Sequence, residues 1–209
     1  MVIAMKSSVD LISLHDFDDE VRQSYKVICG VDEAGRGPLA GDVYAAAVIL
    51  DENEKIEGLN DSKKLTEKKR EALYDEIIQK AKAYCVATAS IAEIEEINIL
   101  QAAMLAMKRA VEGLGVEVDC ALVDGNSCPK LSCNTRTVVK GDSVSASIAA
   151  ASILAKVSRD RYMLEMAEKH PQYCFEKHKG YGTKLHYEKL VEYGISEIHR
   201  PSFLKKLMK

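Results

Sequence analysis

In the stretch GVDEAGRGPLAGD, residues 30–42, two adjacent carboxylates are followed by three closely spaced glycines, Gly35, Gly37 and Gly41. Its glycine pattern is G-x-G-x-x-x-G, one residue longer than the fingerprint of a dinucleotide-binding loop, and no Gly-Lys-Ser/Thr follows for a P-loop. Asp32 and Glu33 would also repel a phosphate that approached this loop directly. The stretch therefore argues against both nucleotide loops and predicts an acidic strand end that is followed by a glycine-rich bend.

Apolar runs on both sides of this stretch alternate with segments of helical periodicity. The runs predict five strands, at 26–31, 43–50, 84–90, 118–123 and 137–140. The helical segments are 66–83, 94–114, 143–169 and 185–193, with Thr66 as the cap of the first and Gly115 as the stop of the second. Strands that are interleaved with helices predict an α/β fold.

The composition is that of a globular protein with one substantial core. Of the 209 residues, 47% are hydrophobic and 29% are charged. No apolar run approaches the ~18 residues that cross a membrane, and the first 20 residues lack the features of a secretory signal. The six cysteines have no CxxC spacing, so we expect reduced, structural thiols in a cytoplasmic protein that makes no membrane contact.

The charge is unevenly distributed along the chain. Residues 156–209 hold 12 Lys and Arg against 7 Asp and Glu, whereas residues 1–155 hold 17 against 25. A basic C-terminal quarter beside an acidic body is compatible with a polyanion held near a metal site, and equally with a solvated helical surface. We predict an N-terminal arm (1–25) that is either loose or a first turn, a main α/β domain (26–170) and a basic helical C-terminal extension (171–209).

Four acidic residues directly follow apolar runs that resemble strands: Asp32, Glu33, Asp124 and Asp142. Sites in open α/β sheets gather at strand ends, so the fold can bring these carboxylates together. Without supporting His or Cys, such carboxylates favour Mg²⁺ or Mn²⁺ over Zn²⁺. Each acid also has a plainer explanation: Asp142 as a helix cap, Asp124 in an Asp-Gly-Asn turn, and the adjacent pair as solvated loop charges. Because neighbouring strand residues point to opposite faces, that pair shares a site only where the chain bends or two metals flank Asp32.

Several further motifs stand in a fixed order around these acids. They are DSKKL (61–65), LVDGN (122–126), VVKGD (138–142), SIAAASILAKVSRD (147–160) and HKGYGT (178–183). Together with the stretch at 30–42 they resemble bacterial ribonuclease HII, the type 2 ribonuclease H, from about residue 26 to residue 204. The resemblance implies the ribonuclease H-like α/β fold, with a mixed central sheet flanked by helices and a helical C-terminal extension.

The resemblance also implies an activity and a set of site residues. Family members are endoribonucleases that use metal ions to cleave the RNA strand of RNA–DNA hybrids, and single ribonucleotides embedded in duplex DNA. The four acids above would hold two Mg²⁺ or Mn²⁺ ions, and hydrolysis would leave 5′-phosphate and 3′-hydroxyl ends. The Gly35-Arg36-Gly37 segment would recognise the ribose 2′-hydroxyl, and Tyr181 would pack on the sugar of the adjoining deoxynucleotide.

Arg36 distinguishes this chain from the related ribonuclease HIII, which lacks the arginine between the two glycines. Three positions depart from the family pattern, namely Asp42, Cys174 and Pro201. The first stands where proline is common, the second replaces a usual glycine and the third replaces a usual arginine. None of them touches the four acids, so they put local loop geometry in question rather than the chemistry.

Lysines near these motifs are candidates for contacts with phosphates. They are Lys63, Lys64, Lys140, Lys179 and Lys184, and each is equally well explained as a solvated surface residue. Tyr181 lies between two glycines that would expose it, which favours a stacking role over a place in the core. The expected partners are an RNA–DNA hybrid and ribonucleotide-containing duplex DNA, bound by a monomer.

Two other functions compete with this interpretation. An Asp-nucleophile phosphohydrolase also needs carboxylates and Mg²⁺ at a strand end, but it usually has Asp-x-Asp after its first strand, whereas Asp32 is followed by Glu33 and Ala34. A metal-stabilised module that binds nucleic acid without cleaving it would need the same basic and acidic surfaces. Cleavage of a duplex with one embedded ribonucleotide separates the three possibilities.

Overall fold

A computed structural model of the chain describes residues 13–205. The strands are β1 (Ile28–Ala34), β2 (Val43–Ile49), β3 (Ala83–Ala89), β4 (Cys120–Asp124) and β5 (Asn134–Val138). The helices are α1 (Leu14–Arg22), α2 (Glu67–Lys80), α3 (Ile91–Glu112), α4 (Ala146–Lys169), α5 (Phe175–His178) and α6 (Lys184–Tyr193). Within the described range, no helix is long and apolar enough to cross a membrane.

The five strands form one mixed sheet in the order β3-β2-β1-β4-β5. β1 pairs with β2, and β2 with β3, in antiparallel fashion, while β4 lies parallel to both β1 and β5. Helices flank both faces, so the predicted α/β fold with a mixed central sheet is confirmed. The parallel pair of β1 and β4 has a direct consequence for function, because it brings two acidic strand ends to the same edge of the sheet.

Strand β2 shows how the sheet separates two cores. Val43, Ala45, Ala47 and Ile49 pack in a cluster with buried residues of α3. The alternate residues Ala46 and Val48 pack in a second cluster, together with residues of α2 and α4. Both faces are therefore buried, which explains why this strand reads as a continuous apolar run rather than as an alternating one.

Element boundaries differ from the predicted ones where capping and pairing decide them. Ser90 and Glu93 form a capping box, so α3 begins at Ile91, three residues before the predicted start. Its helical geometry is interrupted at Asn98, whose φ is 68°, and Gly113 rather than Gly115 is the C-terminal cap. Strand β5 runs from residue 134 rather than 137 because its ladder with β4 begins at the Cys120 and Asn134 pair.

The C-terminal elements pack on one end of the α/β layers. Tyr173, Phe175 and Leu190 form a third apolar cluster with Met163 of α4 and Leu39 of the loop after β1. The segment therefore reaches directly behind the glycine-rich loop. The division of the chain at residue 170 stays a prediction.

Residues 14–22 form a helix within the predicted N-terminal arm (1–25), for which the sequence predicted a loose arm or a first turn. Ser13 and Asp16 make a capping box that starts α1. Asp18 is fully buried, and its carboxylate accepts hydrogen bonds from Ser145 Oγ (2.5 Å), Ser147 N (2.8 Å) and Ser147 Oγ (2.7 Å). These bonds fix α1 to the first turn of α4. The predicted arm's residues 1–12 lie outside the described range.

We expect Asp18→Ala to lower the free energy of unfolding by about 2–3 kcal/mol, because it leaves three buried donors at the start of α4 without an acceptor. Asp19→Ala is the matched control, since its side chain is 45% exposed and pairs with Arg22 at the surface; it should cost less than about 1 kcal/mol. Urea unfolding followed by circular dichroism measures both. Equal losses in the two variants would contradict the buried clamp.

Candidate active site

Asp32 and Asp124 lie side by side at the ends of two parallel strands. Val31 of β1 pairs with Val123 of β4, and the next residue on each strand is the acid. Adjacent strands are about 4.8 Å apart, so the two carboxylates project from neighbouring positions of one sheet edge. Asp32 is buried, which excludes the explanation of this residue as a solvated loop charge.

Asp142 is brought to the same edge by a tight turn after β5. The turn is a short 3₁₀ segment, Gly141–Ser143, and the N–H of Gly141 donates to Asp124 Oδ1 at 2.6 Å. The cap of α4 is Ser145, whose hydroxyl accepts from Ile148 N at 3.2 Å. Asp142 is therefore not the helix cap that the plainer explanation required; it is a buried acid next to Asp124.

Glu33 points away from Asp32 along the strand, as the alternation of strand residues requires. The chain bends directly after it, because Gly35 adopts a left-handed φ of +100°. Arg36 Nη1 lies 3.2 Å from Glu33 Oε1. Burial raises the pKa of Glu33 and the charge of Asp124 adds to the increase, while Arg36 opposes both. Glu33 is therefore within electrostatic reach of the two strand-end aspartates.

The carboxylates disfavour one another's charge. Burial raises the pKa of Asp32 well above its usual value, and the neighbouring charges of Glu33 and Asp124 raise it further. Burial also raises the pKa of Asp142, with added repulsion from Asp61 and Asp124. Cations are the natural compensation for such a group of acids.

Lys63 is the lysine that faces these acids most directly. Partial burial disfavours its charged form, but Asp32, Asp61 and Asp142 together outweigh that effect and raise the pKa of Lys63. One ammonium group balances only part of the negative charge. The remaining charge leaves the site suited to added cations.

The donor set fits Mg²⁺ or Mn²⁺ by its chemistry. It consists of carboxylate oxygens without His or Cys, which are the ligands of hard divalent cations. Within residues 13–205, no three His, Cys, Asp or Glu side chains form a ready-made metal cage. The fold nevertheless brings Asp32 and Asp124 to adjacent strand ends and Asp142 next to Asp124.

A cleft of about 510 Å³ opens beside Asp32 and Glu33. Its lining brings together most of the predicted substrate-binding residues, namely Gly35, Arg36, Gly37, Lys63 and Tyr181. Asp124 and Asp142 lie on the β4 side of Asp32 and do not line it. The cleft therefore places the glycine segment and the aromatic ring next to the carboxylates.

Tyr181 is 41% exposed and is not part of the core. The ammonium of Lys156 and the guanidinium of Arg159 lie 5.6 and 5.8 Å from its centroid. A Cβ on Gly37 would stand 3.9 Å from the edge of the ring. The ring and the glycine segment thus form facing walls of one cleft.

The other predicted lysines are not gathered at the cleft. Lys179 Nζ donates to the carbonyl of Glu176 at 2.6 Å, and Lys184 pairs with Glu188 on the surface of α6. Lys64 reaches Ser143 Oγ at 3.2 Å, close to Asp142. Lys140 adopts a left-handed conformation at the turn before Asp142, with a φ of 56°.

Two residues of α4 line the cleft although the sequence argument did not select them, Ser152 and Lys156. They lie four residues apart and therefore share one face of the helix. Ser152 hydrogen-bonds Ser62, and Lys156 pairs with Asp160 at 2.6 Å. Both stand inside the motif SIAAASILAKVSRD, and their spacing of four residues was the signal that could have found them.

Two fully buried arginines stand behind the glycine segment, Arg159 and Arg200. Arg159 donates to the carbonyls of Ala40 (3.0 Å) and Lys179 (3.1 Å), so it joins the loop after β1 to the loop that carries Tyr181. Among residues 13–205, neither guanidinium has a carboxylate as a hydrogen-bond partner. Sequence reasoning missed both, because their partners are backbone carbonyls that no residue pattern reveals.

Comparison with known proteins agrees with this arrangement. The profile of the ribonuclease HII family matches residues 29–206. Ribonuclease HII of Caldicellulosiruptor bescii is 59% identical over 188 residues, which are 90% of this chain and 91% of the relative. The crystal structure of ribonuclease H2 from Pyrococcus horikoshii OT3 superposes with a TM-score of 0.70 at 28% identity, over 84% of this chain and 93% of that one.

A more distant structure, Bst-RNase HIII in complex with Mn²⁺, has a TM-score of 0.63 at 16% identity, over 79% of this chain and 70% of that one. At that identity it shows the shared fold alone. The predicted family and the predicted fold are both confirmed by these comparisons. This chain therefore belongs to the ribonuclease HII family, metal-dependent endoribonucleases that act on RNA–DNA hybrids.

Proposed function

We propose that this endoribonuclease also cleaves at single ribonucleotides embedded in duplex DNA, and that Asp32, Glu33, Asp124 and Asp142 hold two Mg²⁺ or Mn²⁺ ions for the reaction. The observation that carries the proposal is the pairing of two acidic ends of parallel strands beside a cleft with a glycine wall and an aromatic wall. This arrangement places the acids Asp32 and Glu33 in the same cleft as the residues that would contact a nucleic acid strand.

The four acids would divide the work of binding. Asp32, whose carboxylate feels the charges of Glu33 and Asp124, would hold the ions together with these two acids, and Asp142 would complete the set. When bound, a pair of such ions supplies an activated water and stabilises charge on the departing 3′ oxygen. The products would be a 5′-phosphate and a 3′-hydroxyl. Either ion fits the oxygen donors, and a fold neighbour was solved with Mn²⁺.

The cleft walls would select the strand. The absence of side chains at Gly35 and Gly37 lets main-chain groups approach the ribose 2′-hydroxyl, which is the group that distinguishes RNA from DNA. The exposed ring of Tyr181 would pack on the adjoining deoxynucleotide. Lys63 and Lys156 line the cleft and would contact phosphates. Lys179 would contribute only after leaving the carbonyl that it contacts here.

Three further parts of the proposal concern the whole protein. One chain contains all four acids and both cleft walls, so a monomer suffices for activity. The six cysteines are free thiols, which is compatible with a reducing cytoplasm. The main domain (26–170) would carry the acids, and the extension (171–209) would carry Tyr181.

A short fluorescent DNA duplex with one ribonucleotide tests the proposal directly. Incubated with the protein and Mg²⁺ or Mn²⁺, it should be nicked at the ribonucleotide, while an all-DNA duplex of the same sequence stays intact. A phosphohydrolase of small esters would leave both duplexes uncut and unbound. A binding module would shift the duplex in a gel without cutting it. Either of these outcomes, or nicking of the all-DNA duplex, would refute the proposed function.

A further inference from the structure

The segment Ile198–Arg200 joins the two walls of the cleft from behind. Gly41 N donates to Ile198 O at 2.7 Å, and Arg200 N donates to Leu39 O at 2.8 Å, so the segment runs along the loop after β1. The same loop is bonded to the other wall, because Leu39 N donates to Gly180 O at 2.8 Å. A residue buried in this segment can therefore affect both walls without touching a substrate.

Arg200 holds the carbonyl groups of the glycine wall. Its Nε and Nη2 donate to Gly41 O, Nη1 donates to Pro38 O (2.9 Å), and Nη2 also donates to Gly35 O (2.8 Å). A weaker bond of 3.3 Å reaches Arg36 O. One planar fork thus satisfies four carbonyls of a seven-residue loop, a task for which a lysine has the wrong geometry.

This arrangement has a consequence for the amide groups on the other side of the loop. In a trans peptide the C=O and the N–H point in opposite directions. Because the carbonyls of Gly35 and Arg36 point to Arg200, the N–H groups of Arg36 and Gly37 point away from it. Within residues 13–205, the N–H groups of Arg36 and Gly37 donate to no backbone acceptor outside the regular elements. They are the donors that a 2′-hydroxyl or a phosphate in the cleft would use.

A pair of buried histidines, His186 and His199, holds the wall of the cleft that carries Tyr181. Ser196 N donates to His199 Nδ1 at 2.9 Å, so the proton of His199 is on Nε2. His199 Nε2 lies 3.0 Å from His186 Nε2, so the N–H of His199 donates to His186 Nε2. The proton of His186 is therefore on Nδ1. His186 Nδ1 in turn donates to Tyr181 O at 3.0 Å. Only one set of neutral tautomers satisfies all three bonds.

Charge on either imidazole would break this chain of bonds. Burial lowers the pKa of both His186 and His199 to about 4, so both imidazoles are neutral at neutral pH. The stacked ring of His178, 4.3 Å from His186, packs against the same group. The backbone of Tyr181 is thus fixed by an uncharged network rather than by an ion pair.

We propose that Arg200 and His186 are positioning residues that set the spacing between the glycine wall and Tyr181, and that this spacing determines the preference for a ribonucleotide–deoxyribonucleotide junction. The inference rests on the proposed function, because it assigns recognition to those two walls. Both residues act through others, since neither lines the cleft. Their loss should change which duplex is cut while leaving metal binding intact.

The test compares two substrates, a duplex with one embedded ribonucleotide and a uniform RNA–DNA hybrid, with kcat and KM measured for each. Arg200→Lys keeps the charge and removes the fork. We expect it to lower the ratio of kcat/KM for the embedded ribonucleotide over the hybrid by roughly tenfold or more, because a small displacement of a recognition group has effects of that size. Arg161→Lys, at an exposed arginine of α4 that pairs with Glu71, is the matched control and should leave the ratio unchanged.

Two substitutions at His186 make the test independent of Arg200. An asparagine can place an N–H where Nδ1 stands, whereas a glutamine mimics Nε2. His186→Asn should keep the substrate ratio within about threefold, and His186→Gln should lose it as Arg200→Lys does. If circular dichroism shows that Arg200→Lys does not fold, the comparison of His186→Asn with His186→Gln tests the positioning role without it. The rise in Tm on adding Mg²⁺, which requires no turnover, should be the same in all folded variants.

The outcomes separate the two levels of inference. If the folded variants keep the wild-type substrate ratio, or lose activity on both duplexes equally, the positioning role is refuted while the proposed function stands. If the wild-type enzyme itself cuts both duplexes without preference, recognition by the two walls is refuted. A loss of the Mg²⁺-induced rise in Tm in Arg200→Lys would also overturn the proposal, because it would place the residue in support of the metal site.

Discussion

Asp32→Asn should reduce the rate of cleavage by at least about 10²–10³-fold, the usual cost of removing one electrostatic stabiliser from a buried site. Asp124→Asn should have a comparable effect, because its carboxylate stands at the neighbouring strand end. Asp75→Asn is the control; its side chain is 69% exposed on α2, and the substitution should leave the rate unchanged. Undiminished cleavage by either strand-end variant would refute the assignment of the acids.

Asp32→Asn should also stabilise the metal-free protein. Burial and the neighbouring acids raise the pKa of Asp32 above its value in the unfolded chain. The folded state therefore binds more protons than the unfolded state, and stability falls as the pH rises through that window. At neutral pH the charged Asp32 opposes folding, and an uncharged amide of the same shape relieves the penalty. Each kcal/mol gained should raise Tm by roughly 2–4 °C in a chain of this size.

Thermal unfolding with and without Mg²⁺ separates this effect from general damage. The wild-type protein should gain stability when Mg²⁺ is added, because the ion binds the folded state. Asp32→Asn should start from a higher Tm and gain much less. A lower starting Tm in Asp32→Asn would show that the carboxylate is a structural group rather than one held ready for an ion.

Much of the fold follows from patterns in the sequence. Apolar runs of strand length marked β1, β2, β3 and β4, and acids directly after two of them marked the candidate site. The parallel pairing of β1 and β4 could be expected from an α/β pattern, but its register could not. That register, with Val31 opposite Val123, is what makes Asp32 and Asp124 neighbours.

Other features had no pattern to reveal them. The sequence of helix α1 is acidic and shows no clear apolar pattern, because the residue that it buries deepest is Asp18. The partners of Asp18 lie 127 and 129 positions away along the chain. Strand β5 is an edge strand with mostly exposed, polar side chains, so hydrophobic periodicity did not predict where it begins. Arg200 reads as a surface charge in a basic tail, since a guanidinium that binds carbonyls leaves no complementary residue in the sequence.

Gly30→Ala should destabilise the protein by about 3 kcal/mol or more, because the new methyl group has no space. A Cβ at this position would stand 2.0 Å from the carbonyl carbon of Ser147 and 2.2 Å from Ile148 N. These atoms belong to the backbone of α4, so no side chain can rotate away. Gly115→Ala is the control: no atom of the described residues lies within 4 Å of the new Cβ, and the φ of +71° is the main cost, about 1 kcal/mol.

The position of the clash links this loss of stability to the site. The helix α4 can relieve it only by moving away from β1, and its first turn follows the turn that carries Asp142. Asp32 lies two residues after Gly30 on β1, the strand from which α4 would move away. We therefore compare the two variants in thermal melts that start at a low temperature, where both are folded. Adding Mg²⁺ should raise the Tm of Gly30→Ala less than it raises the Tm of Gly115→Ala. Equal increases would mean that close packing of α4 on β1 serves stability alone, and that the spacing of Asp32 and Asp142 is set elsewhere.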